Sequence, residues 1–226
     1  VMAVTEGLLA CIMKELKGLD VPVPFPRMIY QEAMSRFGSD KPDTRFGLEL
    51  VDLTEALKET EFKVFRSIIA SGGMVKAINA KGMADTSKRR IDEWTEVVKI
   101  FGGKGLAWLK VNEDSTLQGQ IAKFFCDDEI AAVKAATQAE PGDLLLFVAD
   151  KPAVVHPALG RIRLEVARDA GLIDDNVYNF LWVIDFPLLD YDADEGRYVA
   201  VHHPFTSPLP EDADKLDTDP ASVRAQ

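Results

Sequence analysis

The stretch F-K-V-F-R-S-I-I-A-S-G-G-M-V-K-A-I-N-A, residues 62–80, decides the fold class expected for the centre of the chain. Two apolar runs, residues 62–70 and 74–80, flank the dipeptide Gly72-Gly73. Paired glycines between apolar runs are typical of a tight turn between strands. The first expectation is therefore a strand over residues 62–70, a turn, and a second strand over residues 74–80.

The following residues predict helices alternating with strands. Thr86 or Ser87 can cap a helix running to Phe101, because apolar residues recur there at helical spacing: Ile91, Trp94, Val97, Val98 and Phe101. Further elements are expected in the order strand, helix, strand, helix, at residues 106–112, 119–138 (broken near Cys126-Asp127), 143–150 and 152–171. This order predicts an α+β domain of two layers, with its helices on one face of the sheet.

The sequence pattern at the two ends of the chain differs from that of the centre. Residues 4–18 predict a buried helix with one apolar stripe: Leu8, Leu9, Ile12, Met13 and Leu16. The prolines of residues 21–26 end it, and a short helix, Tyr30 to Phe37, leads into a turn-rich segment. Near the other end, residues 179–190 and 197–205 predict a β-hairpin, whose near-continuous apolar first strand would be buried on both faces.

Composition narrows the function classes. The 226 residues carry a net charge of −11, and residues 173–226 hold three basic and twelve acidic side chains, so a nucleic-acid-binding face has to be local. The densest basic group is Lys88, Arg89 and Arg90, which either faces a nucleic acid or is a solvated helix start. No apolar run reaches the roughly 20 residues of a membrane span. Cys11 and Cys126 lack metal or disulfide spacing, so a reduced, cytoplasmic setting is expected.

Two of the three histidines, His202 and His203, are adjacent at the end of a predicted strand. Neighbouring side chains of a strand point to opposite faces, so one imidazole can reach a pocket and hydrogen-bond a small carboxylate, or both can be structural. The third, His156, is expected to be a structural histidine on a helix. The acidic turn of residues 190–196 has the wrong glycine position for a calcium loop, and F-G-G-K-G, residues 101–105, is a helix end and turn.

Three segments resemble the class II aspartyl-tRNA synthetases of bacterial type. They are W-V-I-D-F-P-L-L (182–189) followed by H-H-P-F-T-S-P (202–208), F-G-S-D-K-P-D-T-R-F-G (37–47), and residues 91–113, which are similar to the insertion domain that these enzymes share with tRNA-dependent amidotransferases. The resemblance implies an α+β fold: a catalytic-domain segment at 1–47, a GAD-type insertion domain at 48–172, and a hairpin of the antiparallel catalytic sheet with an acidic loop at 173–226.

The resemblance also implies the chemistry of a longer parent enzyme, in which Lys88, Arg89 and Arg90 would face tRNA. The parent would activate aspartate with ATP and magnesium, transfer it to tRNA, and act as a homodimer. His202 matches a histidine that contacts the substrate aspartate, and the resemblance assigns His203, beside it in the same signature, to the same aspartate-binding site. Neither the F-R-x-E of motif two nor the G-x-D-R of motif three occurs in this chain.

We therefore expect an inactive internal piece, with no catalytic residue or metal ligand assigned and no cofactor held. Two alternatives remain open: an amidotransferase subunit with the same insertion, against which H-H-P-F-T-S-P argues, and a non-catalytic binding module.

Overall fold

The computed structural model describes residues 1–192, 195–203 and 205–226. The helices of these residues are α1 (Met2–Lys17), α2 (Tyr30–Phe37), α3 (Lys63–Ala70), α4 (Lys88–Ile100), α5 (Asp127–Thr137) and α6 (Pro152–Asp169). The strands are β1 (Arg27–Ile29), β2 (Val51–Asp52), β3 (Met74–Ala80), β4 (Ala107–Val111), β5 (Leu117–Gly119), β6 (Leu144–Asp150), β7 (Trp182–Ile184), β8 (Leu189–Asp192) and β9 (Arg197–Ala200). The chain forms two compact units, Ala33–Tyr178 and Val1–Glu32 with Asn179–Gln226.

The unit Ala33–Tyr178 is built on a five-stranded antiparallel sheet with the strand order β2-β3-β6-β4-β5. The long central pair, β3 and β6, runs in register from Met74 opposite Asp150 to Ala80 opposite Leu144. Both strands lie where the apolar runs predict them. The α+β class is confirmed.

Helices cover both faces of this sheet, whereas the sequence predicts helices on one face only. Trp94 of α4 and Leu159 of α6 pack with Leu146 on one face, and Phe65 of α3 packs with Phe147 on the other. The reason lies in β6, in which four consecutive residues, 144–147, are fully buried. A strand with apolar side chains on both faces needs cover on both.

The prediction of a strand over residues 62–70 is wrong, because these residues form α3. Phe65 and Ile69, four residues apart, both pack into the same apolar cluster, while Val64 is exposed. That is helical spacing, and the alternation required of a strand is missing. The expected turn is present, with Gly72 in the left-handed region at φ +82°.

The helix predicted over residues 119–138 is shorter than expected. Strand β5 occupies its start, a single 3₁₀ turn follows at residues 122–124, and α5 begins only at Asp127. The predicted break near Cys126 is therefore confirmed. Three acidic residues, 127–129, occupy the first turn of α5, where carboxylates stabilise the positive end of the helix dipole.

Helix α1 has the predicted position, but most of its expected apolar stripe is not buried. Of its expected apolar stripe only Met13 is buried, and Leu8 and Leu16 are exposed. The buried side is fixed by Glu6, whose Oε1 accepts hydrogen bonds from the Trp182 indole N–H at 2.8 Å and the Phe25 backbone N–H at 3.3 Å. A buried carboxylate with two donors dictates the rotation of this helix, because leaving those groups unpaired would be costly.

The strands near the other end are shorter than predicted. The first apolar run divides into β7, which pairs in parallel with β1, and β8, which forms an antiparallel hairpin with β9. Asp185, with φ +57°, and Pro187 separate the two strands. Strand β7 is half-buried, so the expectation of burial on both faces is wrong. The hairpin is confirmed, although Ala193 and Asp194 of its predicted acidic turn lie outside the described residues.

Candidate functional site

His202 follows β9 and rests on a row of aromatic rings. Its imidazole meets the Phe186 ring edge-on, with ring centroids 5.0 Å apart, and Phe186 in turn contacts the Tyr30 ring at 5.1 Å. The His202 side chain is exposed, and neither of its ring nitrogens has a hydrogen-bond partner among the described residues. The ring is thus supported by apolar contacts while its polar atoms remain available for a ligand.

His203 has a different environment. Its Nδ1 accepts a hydrogen bond from the Phe205 backbone N–H at 3.3 Å, and its ring meets the Phe205 ring at 4.7 Å. Its carbonyl accepts from the Thr206 N–H at 2.9 Å. These contacts give His203 a structural role, because they hold Phe205 and Thr206 next to it. Pro204, between His203 and Phe205 in the sequence, lies outside the described residues.

A cleft of about 280 Å³ shares Tyr30 with this aromatic row. Its polar lining includes Gln31, Asp185, Ser222 and Arg224. Asp185 is a non-glycine residue in the left-handed region, a backbone strain that is concentrated at functional sites. Its carboxylate lies 3.8 Å from Nη1 of Arg224, so an anion and a cation are adjacent in the cleft.

Arg224 is held by a second carboxylate. Asp212, which is 1% exposed, accepts from Nε of Arg224 at 2.6 Å and from Nζ of Lys215 at 2.6 Å. These two cations hold the pKa of Asp212 well below its usual range, and Asp212 raises the pKa of Arg224. The guanidinium is therefore fixed at the cleft. Sequence reasoning missed Asp185 and Arg224 because the first lies within an apolar run and the second within a polar tail.

The predicted basic group at the start of α4 is only partly available. Ser87 caps the helix, as predicted, by accepting from the Arg90 backbone N–H at 3.2 Å. The Arg90 guanidinium pairs with Asp169, Glu165 and Glu93, and these partners raise its pKa.

The other two members of the group differ from Arg90. Arg89 pairs with Glu93 at 3.1 Å, while Lys88 is exposed and has no ion pair among the described residues. Lys88 is thus the most accessible positive charge of the three.

The third histidine, His156, lies half-buried on α6. Its Nε2 has no partner among the described residues, and burial, together with the nearby Lys76 ammonium, lowers its pKa. Both cysteines are free and exposed. Within residues 1–192, 195–203 and 205–226 no three His, Cys, Asp or Glu side chains are grouped to hold a metal, and no helix has the length and apolarity needed to cross a membrane.

Comparisons with known proteins give one domain match and several relatives that align with nearly the whole chain. Residues 65–159 match the GAD domain family. The chain is 57% identical, over its full length, to the aspartate–tRNA(Asp/Asn) ligase of Anoxybacillus flavithermus and 56% identical, over 99% of its length, to the aspartate–tRNA ligase of Halalkalibacterium halodurans. The aspartate–tRNA ligase of Enterococcus faecalis is 55% identical over 98% of the chain.

In each case the chain spans about 38% of the length of the curated relative. The resemblance inferred from the three motifs is thereby confirmed: residues 65–159 match the GAD domain family, and the chain is similar over its whole length to bacterial aspartate–tRNA ligases.

Proposed function

We propose that this chain is part of an aspartate–tRNA ligase, which joins aspartate to the 3′ end of tRNA at the expense of ATP. The observation that carries the proposal is identity of 54–57% to ligases of that name along the entire chain. Because the chain spans 38% of their length, the activity belongs to the longer polypeptide. The chain by itself is expected not to activate aspartate.

Within the ligase we assign His202 to the substrate aspartate. The supporting geometry is the exposed imidazole on the Phe186 ring, with ring nitrogens that no described residue occupies. An imidazole N–H can donate to a carboxylate oxygen, and a protonated ring strengthens that bond through charge assistance. His203 belongs to the same signature and is assigned to the same site, where its Nδ1 accepts a hydrogen bond from the Phe205 backbone N–H.

ATP and magnesium are assigned to other parts of the ligase. Magnesium is usually bound through one or two carboxylates together with the phosphate oxygens of the nucleotide, and we assign no residue of this chain to it. Magnesium would help to neutralise the charge that develops on the phosphate during adenylate formation. Residues of this chain would meanwhile hold and orient the amino acid.

The remaining assignments follow from the same family. We place the insertion domain at residues 48–172, around the matched span 65–159, and tRNA contacts at Lys88, Arg89 and Arg90, of which Lys88 carries the accessible charge. The ligase is expected to be a homodimer in the cytoplasm.

The test is aminoacylation by the complete polypeptide that contains this chain. Radiolabelled aspartate should become attached to tRNA only when ATP is present, whereas glutamate, the matched control, should not. The 226-residue chain alone should give no aspartate-dependent exchange between ATP and pyrophosphate. A folded complete polypeptide that fails to charge tRNA with aspartate would overturn the proposal, and conversion of aspartate already on tRNA to asparagine would favour the amidotransferase alternative.

A further inference from the structure

The signature segment of residues 38–47 is held by a buried arginine. Arg163 of α6 is 1% exposed, and its Nε donates to the Leu48 carbonyl at 3.1 Å. Its Nη2 lies 2.7–3.0 Å from three further carbonyls, those of Asp43, Phe46 and Gly47. Burial lowers the pKa of Arg163 to about 10, so the guanidinium is still charged at neutral pH. One charged group thus fixes the backbone of the segment.

A second contact fixes the start of the segment. Gly38, with φ +67°, lies against the backbone of α6 at Gly160, so closely that a Cβ at Gly38 would meet the His156 carbonyl oxygen and a Cβ at Gly160 would lie 2.5 Å from the Gly38 carbonyl oxygen. Only glycine permits this approach. The segment is therefore rigid before any ligand arrives, which reduces the entropy lost on binding.

The rigid segment forms one wall of a cleft of about 560 Å³. Lys41, Asp43 and Arg45 line it from the segment, and Arg168 lines it from α6. The acidic Asp175 completes the charged lining, and Leu164 lies among the apolar residues of the wall. Three cations thus meet two carboxylates in a cleft large enough for a small ligand.

The charge of one carboxylate is already balanced. Both oxygens of Asp43 accept from Arg45, with Nε–Oδ1 at 3.0 Å and Nη2–Oδ2 at 2.8 Å, and this lowers the pKa of Asp43. The same fork orients Nη1 of Arg45, whose partners among the residues that the structure describes are distant. It lies 3.4 Å from both the Asp174 carbonyl oxygen and the Asp175 carboxylate, beyond the usual range for a good N–H···O bond.

The other charged side chains of the cleft are bound weakly enough to exchange their partners for a ligand. The Asp175 side chain is 93% exposed, so its attraction to Arg45 is screened by water. Lys41 is exposed, and its ammonium group has no ion pair among the described residues. Among the described residues, Arg168 has one ion-pair partner, Glu165 of its own helix, at 3.2 Å. An anion that binds arginine more strongly can therefore displace Asp175 from Arg45 and also contact two further cations, Lys41 and Arg168.

We propose that this cleft binds a phosphate group, held by Nη1 of Arg45 and the ammonium of Lys41, with Arg168 at the rim. A phosphate oxygen accepts a charge-assisted hydrogen bond from an arginine more strongly than a solvated carboxylate at 3.4 Å does. Asp175 is the competitor that such a ligand displaces. The phosphate can come from a free phosphate compound or from an RNA backbone. The site does not depend on the ligase activity proposed above.

The test uses the 226-residue chain and inorganic phosphate at constant ionic strength, followed by NMR shifts of backbone amides. Saturable shifts are expected at residues 41–45 and 168–175. Lys41→Gln should weaken the affinity by about two- to fivefold, and Asp175→Asn should strengthen it by a similar factor, which are the ratios expected for one exposed charge pair. Lys63→Gln and Glu61→Gln, which change one exposed charge elsewhere in the same unit, are the matched controls.

Three results would overturn the proposal: no saturable shift, Lys41→Gln indistinguishable from Lys63→Gln, or Asp175→Asn indistinguishable from Glu61→Gln. Unchanged shifts elsewhere in each variant establish that it is folded. Two further titrations identify the source of the phosphate. Tighter binding of pyrophosphate or ATP than of a short RNA duplex assigns a free compound, and the reverse order assigns an RNA backbone.

Discussion

Replacing Arg163 by Met tests the role of the buried guanidinium in the unit Ala33–Tyr178. The side chain has one hydrogen on Nε and two on Nη2, so its contacts to four carbonyls amount to at most three full hydrogen bonds. The guanidinium also lies over the rings of Phe46, at 4.1 Å, and Phe37, at 4.9 Å. Met has a comparable stem but no donor.

The expected loss follows from these contacts. Hydrogen bonds from a charged group contribute about 1.5–3 kcal/mol each. Removing the buried charge recovers part of its desolvation cost, and the freed carbonyls near the surface regain water. We therefore expect the free energy of unfolding to fall by about 3 kcal/mol, near the lower end of the cost of breaking a buried charged contact.

Urea unfolding, followed through the fluorescence of the buried Trp94, measures this change. With a slope of about 2 kcal/mol per molar urea, the midpoint should fall by about 1.5 M. Arg161→Met is the control, because Arg161 lies on the same helix but is 46% exposed and forms, within the described part of the chain, one ion pair, with Glu165. Hydrogen exchange should also accelerate at the Leu50 amide, which donates to the Arg36 carbonyl next to the held segment. A midpoint for Arg163→Met equal to that of Arg161→Met would refute the reasoning.

Three further predictions concern other residues. Burial and Lys76 lower the pKa of His156, against a weaker opposing effect of Asp52, so the unfolded chain binds a proton at a higher pH than the folded chain does. The free energy of unfolding should therefore fall as the pH drops below about 6.5. His156→Gln should remove that part of the pH dependence in denaturation curves. Gly160→Ala places a Cβ 2.5 Å from the Gly38 carbonyl oxygen and should cost about 1–3 kcal/mol in the same urea assay, where an unchanged midpoint would argue against the close contact. In the complete ligase, Lys88→Glu should raise KM for tRNA more than Lys63→Glu does, with a difference that shrinks as salt increases; equal values at low salt would leave Lys88 as a solvated side chain.

The sequence predicts the elements whose apolar pattern is unambiguous. Strands β3 and β6 and helix α4 lie where expected because long apolar periods and a serine cap mark them. Residues 62–70 were ambiguous, since a nine-residue segment with six apolar residues suits a strand or a short helix, and packing of Phe65 on the sheet decides for the helix. The face of α1 could not be predicted either, because it depends on donors to Glu6 that lie 19 and 176 residues away along the chain.

The residues of the candidate site were likewise only partly predictable from the sequence. Adjacent histidines before a proline point to His202 and His203, but only the contacts of each ring distinguish a supported, exposed imidazole from the brace of a turn. Asp185 and Arg224 become neighbours through the tertiary fold, which brings residues far apart in sequence to one cleft. No local pattern signals such a pair.

The most direct test of the account is the aspartate dependence of the complete ligase carrying His202→Ala. Loss of a charge-assisted hydrogen bond of about 1.5–3 kcal/mol predicts a roughly ten- to hundredfold higher KM for aspartate, with KM for ATP and the melting temperature nearly unchanged. His203→Ala is the neighbouring comparison: loss of its bond to the Phe205 N–H should lower the melting temperature and affect both substrates alike. An unchanged KM for aspartate in a normally folded His202→Ala enzyme would contradict the assignment of His202 to the substrate.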